Sequence, residues 1–388
     1  MDAPTQAPPP PRAASPLRRW AGRAALVAAG LLAGLLVVEA IGRLDMFARG
    51  NDLVFMAPMG YPRDIYVQDG EMNYPNPKFN GTIRSFGYSI RPRFSSWGTR
   101  GDEPRPGVPT WIVVGDSFTI GLQVEEEETF SARLAQRLGV QALNAGVDGY
   151  STWKEAIRAV QLGRHFRPDV VVFVFFTGND FFDNRARPGR TVEQPGLGPG
   201  EPGAPEYAVP VAPNFRTAPW YVRLVRDNSV VAAHLSSWAQ TRHVRLGREP
   251  NARRFREELA LFTREGRGAA MSEPGQTEAA FRFCRDAVAR LGARGIVAVV
   301  PPAFAMDEDT AIRTFRSVAL EGVTPDLDTA QSLALRAVER AGLTPCDLMP
   351  TLRAAAAAGE RPYLPFDGHL TPRGHAIVAD AIATCAGG

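Results

Sequence analysis

Between residues 170 and 176 the chain reads Val-Val-Val-Phe-Val-Phe-Phe, seven apolar residues in a row. A β-branched and aromatic run of this length, with no polar alternation, fits a strand buried on both faces. Trp111 to Val114, Gln141 to Asn144 and Ile296 to Val300 read as further strands. Between and after them lie amphipathic stretches that read as helices: 127–138, 153–166, 278–291, 328–341 and 372–384. Strand and helix in alternation imply an α/β fold, with a parallel sheet covered on both faces and ligands beyond the carboxyl ends of the strands.

Two stretches interrupt this alternation. Residues 43–109 hold short polar and aromatic pieces with turn signals and read as an irregular, partly β cap. Residues 184–219 are rich in Pro, Gly and Arg and lead into a helical Trp220 to Arg245. The whole of 184 to about 275 forms an insertion, either a lid over a site or a passive surface excursion.

Ahead of the alternating part, residues 1–23 form a Pro- and Ala-rich segment read as a disordered cytoplasmic tail. From Ala24 to Gly42 the only charge is Glu39. Nineteen helical residues span about 28 Å, one hydrocarbon core. Arg18, Arg19 and Arg23 before the run imply that the bulk of the chain lies outside the cytoplasm. A retained inner-membrane anchor is the adopted reading. A cleaved signal peptide ending near Val38-Glu39-Ala40 is the alternative, and either exports the rest.

The 44 basic and 41 acidic side chains nearly balance, which excludes a nucleic-acid binder working by bulk charge. Three cysteines leave one over in an oxidising compartment, and no Cys-x-x-Cys is present. Cys346 with Cys385 is the expected pair, because both flank the C-terminal segment; three buried free thiols are the alternative. Neither a phosphate-binding loop nor a His-Glu-x-x-His occurs, so no cofactor and no metal are expected.

Four short segments carry the candidate chemistry. Gly115-Asp116-Ser117 leaves the first strand, where a serine hydroxyl suits a nucleophile if a base and oxyanion donors are near. Asn144-Ala145-Gly146-Val147-Asp148-Gly149 and Gly178-Asn179-Asp180 leave the next two strands and offer backbone N–H groups and an amide. Each also reads as an ordinary strand-to-helix turn. Asp367-Gly368-His369, with His375 six residues on, precedes the final helix and offers a general base beside a carboxylate. The other three histidines, His165, His234 and His243, fall on expected helices. Asp116 reads as a turn former, Glu125 to Glu128 as a solvated helix start, and Phe176, Phe181 and Phe182 as core or, alternatively, an acyl pocket.

In this order the four segments, over roughly residues 110–388, resemble the SGNH (GDSL-type) hydrolase superfamily. The resemblance implies a three-layer, flavodoxin-like fold with Ser117 as nucleophile and His369 as base. It also implies an oxyanion hole of the Ser117 N–H, the Gly149 N–H and the Asn179 amide. Gly149 is preferred to Gly146 because the family's spacing runs from Asn144. Asp367 stands two residues before His369 where the commonest pattern has three, which leaves its role in orienting the ring open. An Asp-x-His pair is also seen in alginate O-acetyltransferase relatives, ahead of the serine. By analogy the chain is a serine esterase or O-acyltransferase acting on ester-linked, mainly acetyl, groups of a cell-envelope or exported carbohydrate. The rivals are a lipase or lysophospholipase with a larger acyl groove, and a catalytically idle glycan-binding domain.

Overall fold

The computed structural model describes residues 16–49, 62, 64–85, 87–209, 225, 228–246, 252–266, 274–365 and 367–387. The expected tail therefore lies, through residue 15, outside the described residues. The chain divides into two units, Met1–Ala48 and Arg49–Gly388. The described residues of the first belong to one helix, α1 (Pro16–Arg49), longer at both ends than the apolar run. Within it Trp20–Leu44 is long and apolar enough to cross a membrane, and its leucines and valines are exposed.

The second unit opens with two antiparallel hairpins, β1 (Tyr66–Asp69) with β2 (Met72–Pro75), and β3 (Ile83–Ser85) with β4 (Tyr88–Ile90). The central sheet comes next, with β5 (Thr110–Val114), β6 (Gln141–Asn144), β7 (Val170–Phe176), β8 (Arg294–Val300) and β9 (Thr344–Asp347). All four pairings are parallel, and the spatial order is β6-β5-β7-β8-β9. This is the 2-1-3-4-5 order of flavodoxin-like folds, whose switch point lies between the first and third strands, here β5 and β7.

Side chains alternate across the sheet as a period of two demands. Ile112, Val114, Val171, Phe173 and Phe175 enter one core, while Trp111, Val113, Val170, Val172 and Val174 enter the other. The helices divide accordingly. α2 (Ser117–Ile120) is a single turn after β5, and α3 (Phe130–Leu138) covers the second core. α4 (Thr152–Phe166) covers the first core, and α5 (Asp180–Asp183) comes directly after β7. The expected insertion carries α6 (Val230–Arg245) and α7 (Ala252–Ala260); residues 210–224, including Trp220, lie outside the described set. α8 (Pro274–Leu291) packs on α4. α9 (Glu308–Ser317), α10 (Thr329–Ala341), α11 (Met349–Ala357) and α12 (Pro372–Gly387) complete the chain.

Cys346 on β9 and Cys385 on α12 form a disulfide, and Cys284 is a buried free thiol. The bond ties the sheet's outer strand to the last helix. β9 escapes a reading by apolar pattern because Pro345 interrupts it, a residue that strands accept at a sheet edge.

Candidate active site

The turn after β5 is held from several sides. Asp116 accepts the Phe118 N–H at 2.9 Å and so caps α2, whose first residue is Ser117. Asn144 donates its amide to the Thr119 carbonyl at 2.8 Å. Gly146 packs so closely that a Cβ there would stand 2.3 Å from the Ile120 nitrogen, so no larger residue fits without movement. Buried Arg100 donates to the carbonyls of Ile120 at 2.7 Å, of Val124 at 2.5 Å and of Gly121.

Beside this turn, His369 Nε2 lies 2.8 Å from Ser117 Oγ. The opposite ring nitrogen, Nδ1, is in contact with Asp367 Oδ1, which also accepts the His369 backbone N–H at 3.2 Å. An ionised carboxylate can only accept, so Nδ1 carries the proton and Nε2 is free to accept the serine O–H. Gly368, at φ 78°, makes the two-residue return possible. The second Asp367 oxygen, Oδ2, accepts the Tyr88 hydroxyl at 3.1 Å. Burial pulls the His369 pKa down, but the Asp367 charge and hydrogen bond, aided by Asp148 and Asp116, outweigh it and leave the imidazole above its ordinary value.

At the end of β7, Asn179 donates its amide to Asp183 Oδ2 at 3.0 Å, and Arg254 of α7 donates to Asp183 Oδ1 at 2.9 Å and to Glu258 at 2.6 Å. Gly149 is exposed on the loop after β6, next to Asp148, whose charge is felt by His369. The Gly146 N–H is already given to Asn144 Oδ1 at 3.2 Å. His375 is a buried neighbour: it accepts the Phe130 N–H at 3.2 Å, and burial with Arg100 and His369 nearby depresses it to about 3.

Residues 260–386 match the family described as SGNH hydrolase-like domain, acetyltransferase AlgX. Over that C-terminal third the chain is similar to an SGNH hydrolase-like domain. The matched segment holds Asp367 and His369 but not Ser117, Gly149 or Asn179. No curated protein matches the sequence. Among solved structures, LAE5, an alpha/beta hydrolase enzyme from the metagenome of Lake Arreo, Spain, is 15% identical over 73% of this chain and 97% of its own, with a TM-score of 0.37. A catalytic mutant of Axe2, an acetylxylan esterase from Geobacillus stearothermophilus, is 14% identical over 74% of this chain and 96% of its own, with a TM-score of 0.37.

The second unit has a cavity of about 350 Å³ against Ser117, Asn179 and His369. Four phenylalanines contribute to its walls: Phe118 and Phe176, stacked at 4.1 Å, with Phe304 and with Phe255 from α7. Phe176 thus lines the cavity, whereas Phe181 and Phe182 belong to the core. The insertion therefore builds a wall of the cavity, through Arg254, Phe255 and Glu258. Nothing in the local sequence marks these residues, or Tyr88 and Asp183.

Beneath the site lie three fully buried acids, Asp116, Glu155 and Asp180. Both Glu155 oxygens, Asp116 Oδ2 and Asp180 Oδ1 have no protein hydrogen-bond partner. Burial pushes the Asp116 carboxyl up to about 7, and burial together with the Asp116 charge raises Glu155 and Asp180 well above the carboxylate range. Among the described residues, no group of His, Cys, Asp and Glu is arranged to hold a metal ion.

Proposed function

We propose that this domain is a serine esterase or O-acyltransferase working through an acyl-enzyme. The observation that carries the reading is the continuous chain from Ser117 Oγ through His369 to Asp367, opening on a cavity. In this reading Ser117 Oγ attacks an ester carbonyl while His369 Nε2 takes its proton, and Asp367 holds the resulting imidazolium. The N–H groups of Ser117 and Gly149 and the Asn179 amide stabilise the tetrahedral oxyanion. Collapse breaks the bond to the leaving alkoxide, which takes the proton from His369. Water or a sugar hydroxyl, deprotonated by the same nitrogen, then attacks the acyl-serine and releases it.

An acetyl group on a cell-envelope or exported carbohydrate is the substrate class we infer, supported by the acetyltransferase family match over the C-terminal third. The apolar N-terminal helix supports attachment to the cytoplasmic membrane, or export, with the domain outside the cytoplasm. One observation favours a second reading. Four phenylalanines around about 350 Å³ exceed what acetyl alone fills, as in a lipase with a longer acyl group.

The test is turnover of p-nitrophenyl acetate by the full chain in detergent, beside Ser117→Ala from the same preparation. Turnover that vanishes in the variant supports the serine mechanism. Equal turnover in both overturns it.

A further inference from the structure

We propose that Tyr88 is a positioning residue for Asp367, so that the catalytic unit begins in the N-terminal hairpins and not at the sheet. This inference rests on the catalytic reading of Ser117, His369 and Asp367. Asp367 Oδ1 is fully occupied by the backbone N–H and ring of His369. With both partners on one oxygen, the carboxylate can still pivot about Oδ1 and swing Oδ2. The Tyr88 hydroxyl, 279 residues away in sequence, donates to Oδ2 at 3.1 Å and removes that freedom. Such a bond to the second oxygen of an orienting carboxylate fixes the ring it holds.

The hydroxyl is well placed to do this because its strand is itself anchored. Ile83 on β3 and Ile90 on β4 join Ile65 and Phe79 in a buried cluster with Ile120 and Leu122, at the end of the nucleophile turn and just after it. One hairpin therefore reaches both sides of the triad. It packs apolar side chains behind Ser117 and sends one hydroxyl to Asp367. Burial, then the Asp367 charge, raises the Tyr88 pKa far above its ordinary value, so the phenol keeps its proton and acts as donor throughout.

The experiment compares the full chain with Tyr88→Phe, Asp367→Ala, the double variant and Ser117→Ala, reading kcat and KM on p-nitrophenyl acetate, the rate of Ser117 labelling by a fluorophosphonate, and thermal melting. Tyr88→Phe is expected to lower kcat about tenfold, the worth of one hydrogen bond to a charged group, with KM little changed and labelling slowed in parallel. In the Asp367→Ala background the same change should cost nothing further, since its only route to the chemistry is gone. Unchanged kcat and labelling in Tyr88→Phe, or an equal loss in both backgrounds, overturns the proposal. So does a melting loss confined to the tyrosine variants, which would make the hydroxyl a support of the fold. Turnover retained in Ser117→Ala would overturn the catalytic reading itself, a different failure.

Discussion

Asn179 donates its side-chain amide to Asp183 across 3.0 Å, and the other Asp183 oxygen accepts from Arg254, so the proposed oxyanion donor is tied to a helix of the insertion. An amide nitrogen has two protons, and the bond to Asp183 uses one and aims the other. Asp183 is thus expected to matter through Asn179. Asn179→Ala should lower kcat by about 10²–10³-fold, the usual cost of losing an oxyanion donor. Asp183→Ala, which leaves the amide present but unaimed, should cost less, about tenfold, and act on kcat more than on KM. Steady-state kinetics of both variants check this; an unaffected Asp183→Ala would separate the insertion from the chemistry.

In the proposed mechanism His369 must be neutral to accept the Ser117 proton, and Asp367 holds the His369 pKa above its ordinary 6.5. Activity should therefore rise with pH, with its acid limb centred above pH 6.5. In Asp367→Asn the counter-charge is lost while burial stays, so the limb should move to lower pH as the rate at the plateau falls. The pH profile of kcat/KM measures both. A limb that stays in place would show that Asp367 does not set the ring's charge.

The cavity wall supplied by α7 makes a prediction about acyl length. Phe255 stands with Phe304, Phe118 and Phe176 around the space beside Ser117. Phe255→Ala should open it and shift preference from p-nitrophenyl acetate toward the butyrate and longer esters, by about 1–3 kcal/mol of discrimination, or roughly 10–200-fold. Chain-length series on the parent and the variant decide the matter. An unchanged profile would place the acyl group elsewhere and leave this space to the alcohol or acceptor.

A feature is legible in the sequence to the extent that its cause is local. Continuous apolar runs such as Val170–Phe176 report burial on both faces, so four of the five sheet strands and their ends were legible, and with them the loops holding Ser117 and Asn179; the loop of Asp367 and His369 follows no strand and was marked by its residue types alone. β9 was not, because its short Thr-Pro-Cys-Asp run buries only Cys346 and Pro345 interrupts the apolar pattern. Tyr88, Asp183 and Arg254 have no local signature. Arg253 and Arg254 are adjacent and alike in composition, yet only Arg254 reaches Asp183, a distinction made by the docking of α7.

The buried acids beneath the site should leave a mark on stability. Glu155 is fully buried with neither oxygen bonded, and its pKa is held well above its value in an unfolded chain. The folded state then keeps a proton that the unfolded state gives up above about pH 4.5, so this group's contribution turns unfavourable as pH rises through that value. Each unit of such a shift is worth about 1.4 kcal/mol. Glu155→Gln removes the titration while keeping the shape, so the variant should melt close to the parent at pH 4 and above it at pH 8, by at least about 2–4 °C. Thermal melts at the two pH values test this. A difference equal at both would mean that Glu155 is ionised in the folded protein and compensated there, contrary to its setting.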